Sequence, residues 1–261
     1  MTTKSPEPLT PARAQHWLRR WDDQQATFFT DREERFQVIC DVLEETLSRP
    51  DPLIVDLGVG PGSLSQRILG RIPNATIVGA DMDPLLLGLA ESAYGNDRFR
   101  VVQVDLRSDR WVETLGLDRA PDAFVSTTAL HWLERIPLQR LVVQACEVLA
   151  PGGVFIDGDH LYAVADRTGV DALSKAVARR AAERVGRVEA EDWATWWRAV
   201  EAAPELASLW AARDRTDLEH TVNDRPTVAD YLEALREGGC DQVGQVWQIG
   251  DDRVIVGRRP R

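Results

Sequence analysis

The chain lacks the features of a disulfide-stapled, metal-binding or membrane-spanning protein. Its three cysteines, Cys40, Cys146 and Cys240, are odd in number, far apart and without His or Cys neighbours at metal-ligand spacing. They predict neither a disulfide framework nor a metal site. No apolar run approaches the length needed to cross a bilayer, and residues 1–11 hold one lysine and no apolar core. We therefore expect a soluble cytoplasmic protein with no membrane partner.

Positive charge is also scarce. The sequence has 31 Lys and Arg residues against 42 Asp and Glu residues, a formal net charge of -11. The average field of such a chain repels phosphate backbones, so we expect no nucleic acid partner. Its 261 residues suffice for one large α/β domain with an elaboration.

The most informative segment is residues 53–62, with the sequence LIVDLGVGPG. A short apolar run followed by Gly-x-Gly-x-Gly predicts a buried strand, a tight turn and a helix from Ser63 to about Gly70. Glycines let the backbone approach a ligand, and the helix start presents free N–H groups to it. A turn that merely joins strand to helix fits the same residues, because such a motif alone is weak evidence.

Two nucleotide-binding motifs are missing here. The third glycine of a nicotinamide-dependent enzyme falls three residues after the second, where this chain has Ser63, and no Gly-Lys-Ser/Thr follows. Asp81 ends the next predicted strand, where a carboxylate can accept hydrogen bonds from ribose hydroxyls. Asp83 before Pro84 is the better helix cap, which leaves Asp81 for a ligand with a ribose and no need of a phosphate cradle.

Strands and helices alternate over much of the chain. We predict strands at residues 53–57, 76–81, 99–105, 122–126 and 154–157, followed near the end of the chain by a hairpin at 243–249 and 253–257. Alternation of this kind predicts an α/β fold, a doubly wound sheet that is mostly parallel with helices on both faces. The predicted organisation is one domain: a disordered tail and helical cap (1–50), a cofactor-binding core (51–160), a helical insert or substrate lid (161–241), and an antiparallel hairpin that completes a seven-stranded sheet (242–261).

Five segments resemble, in order, the motifs of class I S-adenosylmethionine-dependent methyltransferases. They are residues 56–62 (DLGVGPG), 78–84 (VGADMDP), 102–106 (VQVDL), 121–126 (PDAFVS) with 129–133 (ALHWL), and 148–153 (VLAPGG). The fourth is closest to the trans-aconitate methyltransferase-like branch. The resemblance covers about residues 50–160 and the terminal hairpin, and it implies a Rossmann-like fold with S-adenosylmethionine as the cofactor.

The resemblance also implies which residues hold the cofactor. They are Gly58, Gly60 and Gly62 at its methionine part, Asp81 at its ribose, Met82, Asp105 and Leu106 around its adenine, and Asp56 and Ser126 beside them. Chemistry independently supports the glycines and Asp81. Met82 fits equally a core-filling thioether, and Asp105 fits a cap on the following turn. The N-terminal helices could close over the cofactor through Trp21, Gln25, Phe29, Arg32 and Arg35, and we expect Arg35 to pair with the cofactor carboxylate. An exposed helix face explains the arginines as well.

The acceptor is predicted from another absence. Methyltransferases that act on amide or exocyclic amine nitrogens of macromolecules commonly carry Asn/Asp-Pro-Pro-Tyr/Phe after the fourth strand, where this chain has residues 126–129 (STTA). With the acidic charge, this favours methyl transfer to an oxygen or nitrogen, less so a carbon or sulfur, of a small organic molecule. The alternatives are a non-methylating S-adenosylmethionine-binding protein, as a cyclisation catalyst or regulatory module, and a peptide or protein methyltransferase.

Two histidines are candidate general bases. His131 and His160 follow the fourth and fifth predicted strands, at the edge of the sheet where ligands bind. His160 is the better candidate because the neighbouring Asp159 can raise its basicity. His131, beside Trp132, also fits a packed structural role.

Tryptophans are candidate substrate contacts. Trp193, Trp196 and Trp197 share one face of a predicted helix that would roof a pocket, although core packing explains at least one of them. We predict that Trp132, Trp193 and Trp197 contact the acceptor.

Overall fold

The computed structural model describes residues 8–29, 31–162, 169–185, 191–218 and 222–261. Most of the predicted disordered tail falls on residues 1–7, outside the described residues. Within the described ranges, no helix is both long and apolar enough to cross a membrane.

The sheet has the predicted seven strands. They are β1 (Leu53–Leu57), β2 (Thr76–Asp81), β3 (Phe99–Gln103), β4 (Ala123–Thr127), β5 (Val154–His160), β6 (Gln242–Ile249) and β7 (Asp252–Arg258). Their order is β3-β2-β1-β4-β5-β7-β6, with β1 to β5 parallel and β7 antiparallel to both β5 and β6. The predicted mostly parallel sheet with a terminal antiparallel hairpin is confirmed.

Ten α-helices lie in the described parts of the chain. They are α1 (Pro11–Phe28), α2 (Arg32–Thr46), α3 (Ser63–Arg71), α4 (Pro84–Tyr94), α5 (Trp111–Thr114), α6 (Arg135–Val148), α7 (Gly169–Val185), α8 (Trp193–Ala202), α9 (Ala207–Asp214) and α10 (Val228–Glu237). Short 3-10 turns occupy Leu130–Trp132 and Pro204–Leu206.

The core lies on both faces of the sheet. Every residue of β1 is buried, which explains why all of its residues except Asp56 are apolar. One face packs on α6 and α10 through residues such as Phe124, Leu141 and Leu235. The opposite face packs on α2 and α3 through Phe36 and Ile68, among others. The doubly wound architecture therefore arises because helices cover both apolar faces of the sheet.

A third cluster joins distant parts of the chain. Trp17 of α1, Leu89 of α4, Trp196 of α8 and Leu206 pack together. This cluster places α8 and α9 beside the N-terminal helices. By contrast, α10 packs on α6 and β7. The range predicted as one helical insert is thus divided between a cap and a layer on the sheet.

One buried ion pair ties the N-terminal helices to the C-terminal hairpin. Arg35 of α2 is fully buried, and its Nη1 lies 2.7 Å from both carboxylate oxygens of Asp252, the first residue of β7. A Cβ on Gly158 of β5 would lie 2.7 Å from the Arg35 Cδ, so only glycine admits this side chain. Burial raises the pKa of Asp252 despite the opposing charge of Arg35. The expectation that Arg35 binds the cofactor is wrong, because its side chain is fully buried and its Nη1 pairs with Asp252 inside the fold.

Removing one partner of this pair should strongly destabilise the fold. Arg35→Met leaves the Asp252 carboxylate buried without its cation, so we expect a loss of about 3–5 kcal/mol in the free energy of unfolding, measured by urea denaturation. The double variant Arg35→Met/Asp252→Leu should recover part of that loss.

The matched control is Arg110→Met, which breaks the exposed pair of Arg110 and Glu113 (2.8 Å) and should cost less than about 1 kcal/mol. Equal losses for Arg35→Met and Arg110→Met would contradict a buried structural role for Arg35.

Candidate cofactor and acceptor site

A cavity of about 580 Å³ lies beyond the carboxyl ends of β1, β2 and β4. Its floor includes residues 58–61, 81–83 and 127–133, and its roof includes side chains of α1, α8 and α9. The volume is in the range of small-molecule sites. The strand order reverses beside β1, which is where parallel α/β sheets bind ligands.

The loop after β1 holds three glycines with positive φ: Gly58 (70°), Gly60 (51°) and Gly62 (90°). A Cβ on Gly58 would overlap the Ala129 Cβ, so this glycine is needed for packing. A Cβ on Gly60 would meet no atom within 4 Å, although Gly60 lines the cavity. Gly62 does not line it and instead occupies the N-cap of α3. Of the three glycines predicted to contact the cofactor, Gly58 and Gly60 therefore line the cavity and Gly62 does not.

Asp81 links this loop to the start of α4. Its carboxylate accepts hydrogen bonds from the backbone N–H of Gly60 and of Asp83, both at 2.9 Å. Burial raises the pKa of Asp81, opposed by these backbone donors. Asp83 caps α4 by accepting from the Leu85 N–H at 2.9 Å, which confirms its predicted role as the cap. Asp81 lines the cavity, and its role at a ribose stays a prediction.

Asp56 is the buried carboxylic acid in the cavity wall. Only 1% of the residue is exposed, and the Ser65 hydroxyl donates to its Oδ2 at 2.6 Å. Burial raises the pKa of Asp56 to about 7, with the charge of Asp81 adding to the shift and the Ser65 hydrogen bond opposing it. Asp56 therefore changes protonation near neutral pH, where a bound cation would favour its ionised form.

Met82, Asp105 and Leu106 line the β2–β3 end of the cavity. The Asp105 carboxylate binds the Arg107 guanidinium at 2.8 Å and accepts the Arg107 backbone N–H at 2.8 Å. Burial alone would raise the pKa of Asp105, but these interactions with Arg107 outweigh burial and lower it. Asp105 thus forms the turn and also lines the cavity, and its role at an adenine stays a prediction.

Ser126 does not reach the cavity. It is fully buried, and its hydroxyl donates to the Leu57 carbonyl at 2.8 Å, joining β4 to β1. The expectation that Ser126 binds the cofactor is therefore wrong. The next two residues, Thr127 and Thr128, line the cavity instead. Among the described residues, the buried Thr127 Oγ1 has no hydrogen-bond partner, which leaves it available to a ligand.

His131 lines the cavity and is held by a buried carboxylate. Its Nδ1 lies 2.8 and 2.9 Å from the two oxygens of Asp159, and its backbone N–H donates to Asp159 at 3.2 Å. Burial alone would raise the pKa of Asp159, but the charge and hydrogen bond of His131 outweigh burial and lower it. An ionised Asp159 favours the proton on Nδ1, so that Nε2 is left as an acceptor.

Asp157 lies two residues before Asp159 on β5 and is also fully buried. Burial, with the charge of Asp159 adding to it, raises the pKa of Asp157 well above its ordinary value. Asp157 therefore favours the neutral acid, whereas Asp159 is ionised and contacts His131 of the cavity lining.

His160 lies outside the cavity lining. Its ring stacks on Phe29 at 4.9 Å between centroids, and its Nδ1 lies 3.7 Å from Asp251. Burial alone would lower the pKa of His160, but Asp251, Asp252 and Asp159 together outweigh burial and raise it. The pKa is thus raised as predicted, but the position of the ring outside the cavity lining does not favour catalysis. The candidate base is therefore His131.

The three tryptophans predicted as substrate contacts all line the cavity, whereas Trp196 is fully buried. Trp193 packs against Trp21 of α1 at 5.3 Å between ring centroids. Trp197 is covered by the Arg213 guanidinium at 4.2 Å, and Arg213 donates to Asp83 at 2.8 Å. Trp197 therefore lies toward the β2 end of the cavity. Trp132 lies at the β4 end with His131.

Of the two arginines of α2 that the sequence offered, Arg32 rather than Arg35 reaches the cavity. Arg32, one turn before Arg35, lines the cavity together with Gln25 and Phe29. Its guanidinium stacks on Phe36 at 4.5 Å and donates to Asp22 of α1 at 2.9 Å.

Comparison with known proteins shows which proteins the central part of the chain resembles. Residues 54–153 match the model of a family described as "Methyltransferase domain". A trans-aconitate 2-methyltransferase from Variovorax paradoxus is 32% identical over 39% of this chain and 36% of its own length. Another from Rhodococcus jostii is 27% identical over 92% of this chain and 76% of its own length. The chain spans about half or less of the length of the first curated relatives it matches.

A solved structure gives the same picture for the fold. An O-methyltransferase family protein from Burkholderia thailandensis superposes with a TM-score of 0.58 at 18% identity, over 98% of this chain and 65% of that chain. At this identity the likeness concerns the fold alone.

The protonation of Asp56 should be visible in the pH dependence of stability. Its pKa is about 7 in the folded chain against an ordinary value of 3.8. Because the folded state holds the proton more tightly, stability falls as pH rises between these two values. Asp56→Asn cannot ionise and keeps an oxygen acceptor for Ser65. We expect the variant to gain stability relative to the parent chain over this pH window, measured by urea unfolding at several pH values.

Asp118→Asn, at an exposed position, is the matched control and should differ from the parent by a constant amount. A pH-independent difference for Asp56→Asn would contradict the raised pKa.

Proposed function

Since residues 54–153 form a class I S-adenosylmethionine-dependent methyltransferase domain, we propose that this chain transfers the methyl group of S-adenosylmethionine to a small organic acceptor. The observation that carries the proposal is one continuous cavity lined by both the Gly58–Gly60 loop and His131. A donor and an acceptor can therefore meet within it.

The residues of the cavity fit the cofactor. Gly60 leaves open the space that a Cβ would fill, and Thr127 offers a buried hydroxyl with no partner among the described residues. We assign Gly58 and Gly60 to the methionine part, Asp81 to the ribose, and the Met82, Asp105 and Leu106 end to the adenine. Asp56, when ionised, would favour the positive charges of the methionine part.

The cofactor would supply an electrophilic methyl group on a sulfonium, whose leaving thioether is neutral and needs no acid. The task of the chain is then to align the acceptor and exclude water. Alignment of this kind contributes about 7–11 kcal/mol to barrier reduction. The roof of α1 and α8 side chains, including Trp21 and Trp193, supports a small molecule as the acceptor because it encloses the site.

Filling the space at Gly60 should block cofactor binding. Gly60→Val would place its side chain in the cavity, so we expect the affinity for S-adenosylhomocysteine in calorimetry to fall by about tenfold or more, or ~1.4 kcal/mol.

Gly116→Val is the matched control. Gly116 has a similar φ (57° against 51°) and equally open surroundings, but it does not line the cavity. Both variants carry the same backbone strain, so their melting temperatures should fall alike while only Gly60→Val loses binding. Normal affinity in Gly60→Val would remove the loop from the cofactor site.

Release of S-adenosylhomocysteine tests the activity itself. Incubation of the chain with S-adenosylmethionine and fractionated metabolite pools should yield it in at least one fraction, detected by mass spectrometry. Tight binding of the cofactor without release in any fraction would favour a non-methylating protein. Release with peptides alone would favour a peptide methyltransferase.

A further inference from the structure

The β4 end of the cavity, which adjoins the acceptor, is aromatic. Phe29, His131 and Trp132 line it, and the rings of His131 and Trp132 lie 5.0 Å apart. Trp132 is 51% exposed although it is a large apolar side chain. A flat ligand would cover this surface with favourable stacking.

The cations of the cavity are already neutralised. In the described part of the chain, the arginines that line it each bind a carboxylate. These pairs are Arg32 with Asp22 (2.9 Å), Arg107 with Asp105 (2.8 Å) and Arg213 with Asp83 (2.8 Å). Burying a substrate carboxylate without its own cation is costly. A polycarboxylate acceptor would therefore lack the bidentate partners it requires.

The cavity also carries negative charge. Asp83 and Asp105 are compensated by Arg213 and Arg107, but the described residues show no arginine ion pair for Asp81 in the lining or for the ionised Asp159 behind His131. These two carboxylates repel an anionic acceptor. The field favours a neutral molecule.

The contact between His131 and Asp159 indicates which atom accepts the methyl group. A carboxylate acceptor has no proton to give up at neutral pH, so a carboxylate-held imidazole would have no task. A phenolic hydroxyl keeps its proton at neutral pH and needs a base to become a good nucleophile. The Nε2 of His131 is such a base.

We propose that the acceptor is a neutral, planar phenol of one or two rings, methylated on its hydroxyl oxygen with His131 as the general base. This inference rests on the proposed function. The phenolic proton passes to the His131 Nε2 as the oxygen bonds to the methyl carbon. The electron pair of the broken carbon–sulfur bond stays on the sulfur, and the imidazolium then releases its proton to water.

Ring-matched probes test the acceptor class. We compare 2-naphthol with 2-naphthoate, which keeps the rings but replaces the hydroxyl with a carboxylate, and with trans-aconitate, the tricarboxylate in the names of the relatives. With S-adenosylmethionine present, we expect 2-naphthol to give at least about tenfold more S-adenosylhomocysteine per unit time than either carboxylate, a discrimination that a polar mismatch readily produces.

The role of His131 is tested by a change in phenol acidity. His131→Asn should lower kcat for 4-methylphenol by about 100-fold or more, the usual contribution of a general base. The loss should be much smaller for 4-nitrophenol at pH 8, because this phenol of similar size is already mostly ionised there. The field of the site disfavours this anion equally in the parent chain and in His131→Asn, so the ratio of their rates still reports the base. A purely structural role would lower both rates alike. His16→Asn, at an exposed histidine of α1, is the matched control and should change neither rate.

The outcomes separate the two proposals. Preferred methylation of 2-naphthoate or trans-aconitate would overturn the phenol assignment and leave the methyltransferase proposal standing. Absence of turnover and of binding for every phenol, in a chain that binds S-adenosylhomocysteine, would overturn the assignment as well. Failure to bind S-adenosylhomocysteine would instead overturn the proposed function.

Discussion

The arrangement of the site depends on the reversal of strand order beside β1. The chain builds β1, β2 and β3 in one direction and then returns to place β4 on the other side of β1. The connections that leave β1 and β4 therefore diverge above the sheet and open a crevice between them. The glycine loop at residues 58–62 and the turn at Leu130–Trp132 form its two sides. Because β1 is buried on both faces, the position of this crevice is fixed by the core itself.

Burial sorts the carboxylates around this crevice into two kinds. At Asp56 and Asp157 desolvation dominates, although the Ser65 hydrogen bond opposes it at Asp56 and the charge of Arg35 opposes it at Asp157, so the pKa of each is raised and the neutral acid is favoured. Asp105 and Asp159 have a guanidinium or an imidazole in contact, which outweighs desolvation and keeps them ionised. The six carboxyl groups of this region, those of Asp56, Asp81, Asp83, Asp105, Asp157 and Asp159, therefore do not carry six negative charges. Among those that stay ionised, Asp159 orients His131.

The sequence predicted the strands and the glycine loop well, because apolar runs and glycine turns record local constraints. It did worse with side chains at strand ends, where one position decides the face. His160 and Asp159 are neighbours on β5, yet His160 faces Phe29 while Asp159 faces His131. Ser126 and Thr127 differ in the same way on β4. Arg35 was misplaced because its partner, Asp252, lies 217 residues away, and no local pattern records such a pairing.

The cavity is built in part from segments of the chain that the family match does not cover. Residues 54–153 supply the glycine loop, Asp81 and His131, whereas Phe29 and Arg32 come from segments before it and Trp193 and Arg213 from segments after it. In these flanking segments the arginines are used to join α1, α2, α4 and α9 through Asp22 and Asp83. A domain can thus keep one part of a cavity while its flanking helices change the charge and shape of the rest. For this reason we expect the matched core to set the methyl donor, and the flanking segments to be the better guide to what receives the methyl group.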